Sequence, residues 1–388
     1  MMSRSYFLWG GLALIALFLA GFGGWMFSLP SATASAEAPP VPQEEADALL
    51  ASLKPAKRGP TKRERPLVAV IGINDATETT DYLMPTGILR RADVADVMML
   101  ATGPGPVQLY PALVVEPDAT IAAFDAAHPE GADYVIVPAM SRDDEPAAIA
   151  WLRSQAEKGA VILGICVGAK VVATAGLLDG KRATTHWYYL GEMLKRSPTV
   201  RYIADRRMVA DGNVVTTTGI TASMPMMLTL IEAITGREKA EAVAHDLGLE
   251  RWDGRHASGA FRLTRPFATT VLANRMAFWN REELGIDLEP GMDEVSLALV
   301  ADAWSRTYRS NVMTFAATDA VESRNGVRIF PDRVDAGTTE GRRVSTFPDR
   351  NPADALDLAL NAIMARYGER TMDVVAMQLE YPRSGTGR

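Results

Sequence analysis

Cys166 is the only cysteine in a chain of 388 residues, and it stands in Gly164-Ile165-Cys166-Val167-Gly168. G-x-C-x-G is the thiol form of the G-x-S-x-G turn, in which a buried strand bends sharply into a helix and lifts the middle side chain above the sheet edge. The flanking glycines, Gly164 and Gly168, are needed because a Cβ would collide in so tight a turn. Val161–Ile165 reads as the strand, and the helix is expected to start near Val167. The free N–H groups and positive dipole end of that helix would lower the thiol pKa and could hold an oxyanion. His186, one of four histidines, follows twenty positions later in Lys181-Arg182-Ala183-Thr184-Thr185-His186-Trp187. It falls on the loop after the next helix, where the chain can return above the sheet edge. The chemistry these residues indicate is nucleophilic thiol catalysis, with the histidine as acid/base or orienting group. The competing reading is a small buried hydrophobe and a structural histidine.

Composition narrows the alternatives. A single cysteine excludes an intrachain disulfide and a Cys-based zinc site. No HExxH, EF-hand loop or GxxxxGK[ST] occurs, so no metal and no nucleotide cofactor is expected. Hydrophobic residues make up 48% and charged residues 22%, an ordinary globular balance. A net charge of −7 argues against a general nucleic-acid binder.

The elements that must position the thiol follow from hydrophobic pattern. Leu67–Ile73 is a continuous apolar run of strand length, as in a parallel strand buried on both faces. A helix over Asp81–Ala92 comes next, then strands over Ala95–Thr102 and Asp133–Met140. A helix over Pro146–Lys158 carries its proline in the first turn. The cysteine strand follows, then a strand over Asn213–Gly219 and a helix over Ser223–Gly236. Such alternation implies an α/β fold with a parallel sheet and right-handed crossovers. From about residue 261 the pattern begins again. Asn311–Thr318 and Val327–Pro331 match Asp96–Thr102 and Val107–Pro111, and Ser296–Thr307 matches Asp81–Ala92. Residues 261–388 therefore read as a degenerate half-copy, with Ser296 opposite Asp81 and no second cysteine. An amphipathic helix over Asp354–Gly368 and a last strand over Asp373–Tyr381 are expected at its end.

Tyr6–Leu29 carries no charge over 24 positions, enough to cross a bilayer core as a helix. A cleaved signal ending at Ala34-Ser35-Ala36 is the rival reading, but such signals have shorter apolar cores. Residues 1–30 are therefore expected to be a membrane anchor, with the soluble part on the periplasmic side. Residues 31–65 read as a Pro-rich, charged linker. A short helix is expected around Glu44–Leu53, and the basic run Lys54–Arg65 reads as solvated or lying on lipid heads.

The stretch from Val161 to Trp187 resembles the ThiJ/PfpI family of the class I glutamine amidotransferase-like superfamily. The elbow, the Ala175–Trp187 tail and the Cys-to-His spacing carry the resemblance. Residues 208–234 resemble the family's later strand and closing helix. Coverage runs over 66–260, and the nearest branch is that of isonitrile hydratases and the sensor halves of AraC-type regulators, here without a helix-turn-helix. The resemblance implies a flavodoxin-like three-layer sandwich, and a homo-oligomer. It also implies that Asp81 approaches the sulfur; a protonated carboxyl there would donate to the thiolate. Ala139, where many members have glycine, would join the N–H of Val167 in an oxyanion hole. Two functions are then open. One is a thiol-dependent hydrolase or hydratase acting on a small molecule through Cys166, Asp81 and His186. The other is a non-enzymatic redox or ligand sensor.

Overall fold

The computed structural model describes residues 20–32, 37–54, 63–334 and 342–382. Most of the expected membrane anchor, residues 1–19, lies outside these, as does Ala34-Ser35-Ala36. Residues 20–28 form helix α1. Among the described residues no helix is long and apolar enough to cross a membrane.

The stretch expected to be a linker docks instead. Helix α2 (Gln43–Leu53) buries Leu53 completely, and the Tyr134 hydroxyl donates to the Leu53 carbonyl at 2.6 Å. Glu45 also pairs with Arg206 at 2.6 Å. The apolar positions of α2 cover a hydrophobic face that the composition of 31–65, rich in proline and charge, does not advertise. Arg63 and Arg65 of the basic run are tied by ion pairs to Asp133, Asp93 and Asp96.

The chain then runs β1 (Leu67–Gly72), β2 (Asp75–Glu78), α3 (Thr79–Ala92), β3 (Asp96–Ala101), β4 (Val107–Tyr110), β5 (Val114–Val115), β6 (Ala119–Thr120), α4 (Ile121–Ala127) and β7 (Tyr134–Val137). Next come α5 (Pro146–Glu157), β8 (Val161–Gly164), α6 (Gly168–Thr174), β9 (Arg182–Ala183), α7 (Leu190–Arg196), β10 (Arg201–Tyr202), β11 (Met208–Asp211), β12 (Val214–Thr217), α8 (Ser223–Thr235) and α9 (Arg237–Leu247). Seven strands form one sheet in the order β11-β12-β8-β7-β1-β3-β6, parallel throughout except for β11 against β12. Side chains alternate between its faces, as the period of two requires. Val68, Val70, Ile136 and Leu163 enter the core that holds α3, α8 and α9. Ala69, Ile71, Val135 and Ile162 enter the opposite core, with α4 to α7. Helices on both faces of a parallel sheet give the three-layer α/β sandwich expected.

The C-terminal part continues with α10 (Arg265–Met276), β13 (Glu282–Asp287), α11 (Glu294–Ser305), β14 (Ser310–Ala316), β15 (Val321–Glu322), β16 (Arg328–Phe330), β17 (Arg333–Val334), α12 (Pro352–Tyr367) and α13 (Glu369–Leu379). It is continuous with the first part. Helices α11 and α12 share the core of α3, and β16 pairs with β5 in a five-stranded sheet, β15-β16-β5-β4-β2. Most of the segment expected to be a last strand, Asp373–Tyr381, belongs instead to α13, which ends at Leu379. Thr371, Val374, Val375 and Leu379 recur at helical spacing and are all buried, so the apolar run that reads as a strand is one face of a helix.

Candidate functional site

Three parallel strands deliver their carboxyl ends to one place. Strand β8 ends at Gly164, and Cys166 follows with φ of +54°. A cysteine in the left-handed region is strained, which is the backbone signature expected of a nucleophile elbow. The strain is held from several sides. The Cys166 N–H donates to Thr217 Oγ1 at 3.0 Å, and Thr185 Oγ1 donates to the Cys166 carbonyl at 2.9 Å. The two glycines are required by contact. A Cβ on Gly164 would lie 2.9 Å from Ala169 Cα, and one on Gly168 would lie 1.8 Å from the Val137 carbonyl oxygen.

Strand β1 leads into β2 and the start of α3, where Asp81 is wholly buried. Strand β7 leads to Pro138-Ala139, and the Ala139 N–H donates to Asp81 Oδ2 at 3.1 Å. The donor that the resemblance assigns to an oxyanion hole is thus taken up by the carboxyl group. Asp81 Oδ1 is buried with no hydrogen-bond partner among the described residues. Burial first, and then the negative charge of Glu78, hold this carboxyl well above its ordinary pKa; the Ala139 N–H and Arg306 oppose them. This favours the protonated form of Asp81, whose proton would sit on the unpartnered oxygen.

The thiol departs from expectation. Cys166 is 3% exposed, and burial pushes its pKa well above the usual value, helped by the neighbouring carboxyl groups of Asp81, Glu78 and Glu380 and opposed by Arg306. A helix start of a single seven-residue helix does not outweigh that desolvation. In this closed arrangement the sulfur is a thiol.

His186 is fixed by backbone on both sides of its ring. Nδ1 lies 3.2 Å from the Tyr188 N–H, and Nε2 lies 2.9 Å from the Gln378 carbonyl of α13. An acceptor at Nδ1 leaves Nε2 as the donor, and burial lowers the pKa, so the imidazole is neutral. The Nε2 partner comes from the C-terminal helix, and the Trp187 backbone N–H donates to Glu380 at the end of that helix at 2.7 Å.

Four further residues stand at the site without a signal in the motif. Glu78 caps α3, taking the Asp81 N–H at 2.6 Å and the Thr80 hydroxyl at 2.7 Å. Arg306, just past α11, donates to Glu78 at 2.6 Å and to Asp302 at 2.7 Å. Asp302 is fully buried and its pKa is pushed up to about 7, by desolvation first. Glu380 receives the Gly219 N–H at 2.7 Å. Only the helix-capping position of Glu78 was readable from sequence; the others arrive from more than a hundred residues away. Among the described residues no cluster of three His, Cys, Asp or Glu is placed to hold a metal ion.

The DJ-1/PfpI family model matches residues 68–233. Isonitrile hydratase of Pseudomonas putida is 43% identical over 94 residues, 24% of this chain and 40% of that protein, so the match spans less than half of that relative. The Parkinson disease protein 7 homolog of Danio rerio is 28% identical over 188 residues, 47% of this chain and 97% of that protein. The HTH-type transcriptional regulator CdhR of Pseudomonas aeruginosa is 37% identical over 106 residues, 27% of this chain and 31% of the regulator. The crystal structure of Drosophila melanogaster DJ-1beta superposes with a TM-score of 0.44 at 24% identity, covering 48% of this chain and 100% of that one.

Proposed function

We propose that this chain, whose residues 68–233 match the DJ-1/PfpI family model, uses Cys166 to hydrate or hydrolyse a small uncharged electrophile. The observation that carries this reading is Asp81. It is a buried carboxyl with a raised pKa, anchored at one oxygen by the Ala139 N–H and unpartnered at the other. Such a group is a proton donor beside a nucleophile.

An isonitrile suits this pairing of a thiol with an acid. Cys166 sulfur bonds to the terminal carbon while Asp81 gives that carbon a proton, and the thiol proton passes to the Asp81 carboxylate. The product of this step is a thioimidate. Water then adds to the same carbon, the C–S bond breaks, the thiol recovers a proton and an N-substituted formamide leaves. The sum is isonitrile plus water to formamide, with no oxidant or metal needed. His186, bound at both ring nitrogens, would orient the elbow loop against α13 rather than carry the proton.

Formation of a formamide from a small alkyl isonitrile is expected with the wild type and lost in Cys166→Ala and in Asp81→Asn. No Cys166-dependent turnover of isonitriles, amides or glyoxals would sink the proposal. Stoichiometric oxidation of Cys166 by dilute peroxide in the absence of turnover would favour the sensor reading instead.

The membrane tether belongs to the same proposal. Its support is the uncharged run Tyr6–Leu29 and the exposure of Trp25 and Phe27 at its end, aromatic types favoured at a membrane interface. Release from membranes by detergent and not by salt is the expected fractionation.

A further inference from the structure

The half-copy is docked about a pseudo-two-fold axis. Glu78 caps α3 and Asp293 caps α11, each accepting backbone N–H groups of the first turn. Arg91 in the last turn of α3 pairs with Asp293, and Arg306 at the end of α11 pairs with Glu78. Glu78 and Asp293 are as far apart in sequence as Arg91 and Arg306, so the two ion pairs are one contact made twice with the roles exchanged. The backbone repeats with them. Asp93 and Tyr308, at that same separation, leave the two helices with φ of +53° and +58°. Strand β14 lies between β13 and β17 as β3 lies between β1 and β6. The Met99 N–H donates to Asp118 and the Thr314 N–H to Asp332, again at equivalent positions. The helices approach closely, since a Cβ on Gly87 would lie 2.4 Å from the Glu294 carboxylate.

The symmetry stops at the chemistry. Asp81 has Ser296 as its counterpart, and no second cysteine exists. The two arginines therefore make matched contacts with unmatched surroundings. Arg91 meets Asp293 and Asp246 away from the thiol. Arg306 meets Glu78, whose other oxygen holds the Asp81 N–H.

We infer that Arg306 is a positioning residue for the Cys166 site, supplied by the half-copy across the pseudo-two-fold axis. It neutralises Glu78 and Asp302, fixes the start of the helix that carries Asp81, and sets the electrostatic balance at the sulfur. Every charged or titratable neighbour that faces the sulfur takes part in that balance. Asp81 and Glu78 come from α3, Asp302 and Arg306 from α11 and its end, Glu380 from the end of α13, and Tyr189 from the loop after β9. Arg306 is the cation among them, and it favours the thiolate against Asp81, Glu78 and Glu380. The assignment rests on the proposed thiol chemistry, but its test reads the thiol directly.

The test is the pH dependence of iodoacetamide labelling at Cys166, the only thiol in the chain, followed by mass spectrometry on the full-length protein. Loss of one nearby opposite charge moves a pKa by about one unit or more. Arg306→Gln is therefore expected to raise the labelling midpoint by about one pH unit, a roughly tenfold slower reaction at a fixed pH below the midpoint. Arg306→Lys should restore most of it. Glu78→Gln removes a negative charge and should shift the midpoint downward, the opposite direction. Arg91→Gln breaks the symmetry-related ion pair and should leave the midpoint unchanged. A loosened fold would move Arg306→Gln and Glu78→Gln the same way, and would move Arg91→Gln with them; either result overturns the assignment, as does an unshifted Arg306→Gln. If Arg306→Gln does not fold, the signs for Arg306→Lys and Glu78→Gln against Arg91→Gln decide it. A protein that turns over no electrophile but shows these shifts would refute the hydratase reading while leaving Arg306 in its role.

Discussion

Gly168→Ala is expected to cost about 3 kcal/mol or more of stability, or to prevent folding, because overpacking against backbone admits no side-chain relief. The new Cβ would sit 1.8 Å from the Val137 carbonyl oxygen and 2.8 Å from its carbon. That carbonyl accepts the Ile165 N–H at 3.0 Å, the bond that ties the elbow to β7. Relief requires moving the end of β7 and with it Ala139, whose N–H holds Asp81. Gly164→Ala meets Ala169 Cα at 2.9 Å and should cost less, since the start of a short helix can shift where a central strand cannot. Denaturant unfolding of both variants checks the order. A Gly168→Ala protein within about 1 kcal/mol of wild type, the scale of an ordinary substitution, would mean that the elbow does not rest on β7.

Asp81→Asn is expected to make the protein more stable than wild type near pH 8 and to lose that advantage toward pH 4. The sign follows from burial. A carboxyl whose folded pKa is raised above its unfolded value, about 3.9, adds stability below that value and gives it up as pH rises toward the folded pKa. Over that interval wild-type stability falls by about 1.4 kcal/mol for each pH unit. Asparagine has no proton to lose. Its oxygen can keep the Ala139 N–H, and its amide can occupy the place of the unpartnered Oδ1. Unfolding free energies at several pH values between 4 and 8 measure the difference. Parallel curves for the two proteins would show Asp81 ionised throughout, and the proton source of the proposed reaction would be gone. The same substitution should abolish turnover, so a gain in stability would accompany a loss of function, the usual relation at a strained site.

The elbow was legible because its constraints are local. Two glycines at fixed offsets from Cys166, a buried run before it and a helix after it are each properties of a few consecutive residues, and the φ of +54° follows from them. The alternation of strands and helices was legible for the same reason, since each buried strand of the parallel sheet is a short apolar run. Asp81 was reached only through the family resemblance, because a lone acid at a helix start reads equally well as a dipole partner. Arg306 was not legible. Its partner Glu78 lies on another helix, and only the docked half-copy brings the two within 2.6 Å. Segment 373–381 was misread because a strand and a one-sided helix share the same short apolar composition, and α10 and α12, which decide the matter by packing on α13, are non-local. The thiol pKa was misjudged for a related reason. The helix end that favours a thiolate is written in the sequence, while the burial and the carboxyls that disfavour it come from the whole fold.

Because both partners of the exchanged contact lie on one polypeptide, their local concentration is set by the chain and not by the cell. An arrangement of this kind built from two separate molecules would come apart on dilution and would carry two equivalent centres. Here the association does not depend on protein level. Ser296 stands where the other side has Asp81, and Arg306 reaches back to Glu78. The Cys166 site thus has its companion segment on the same chain.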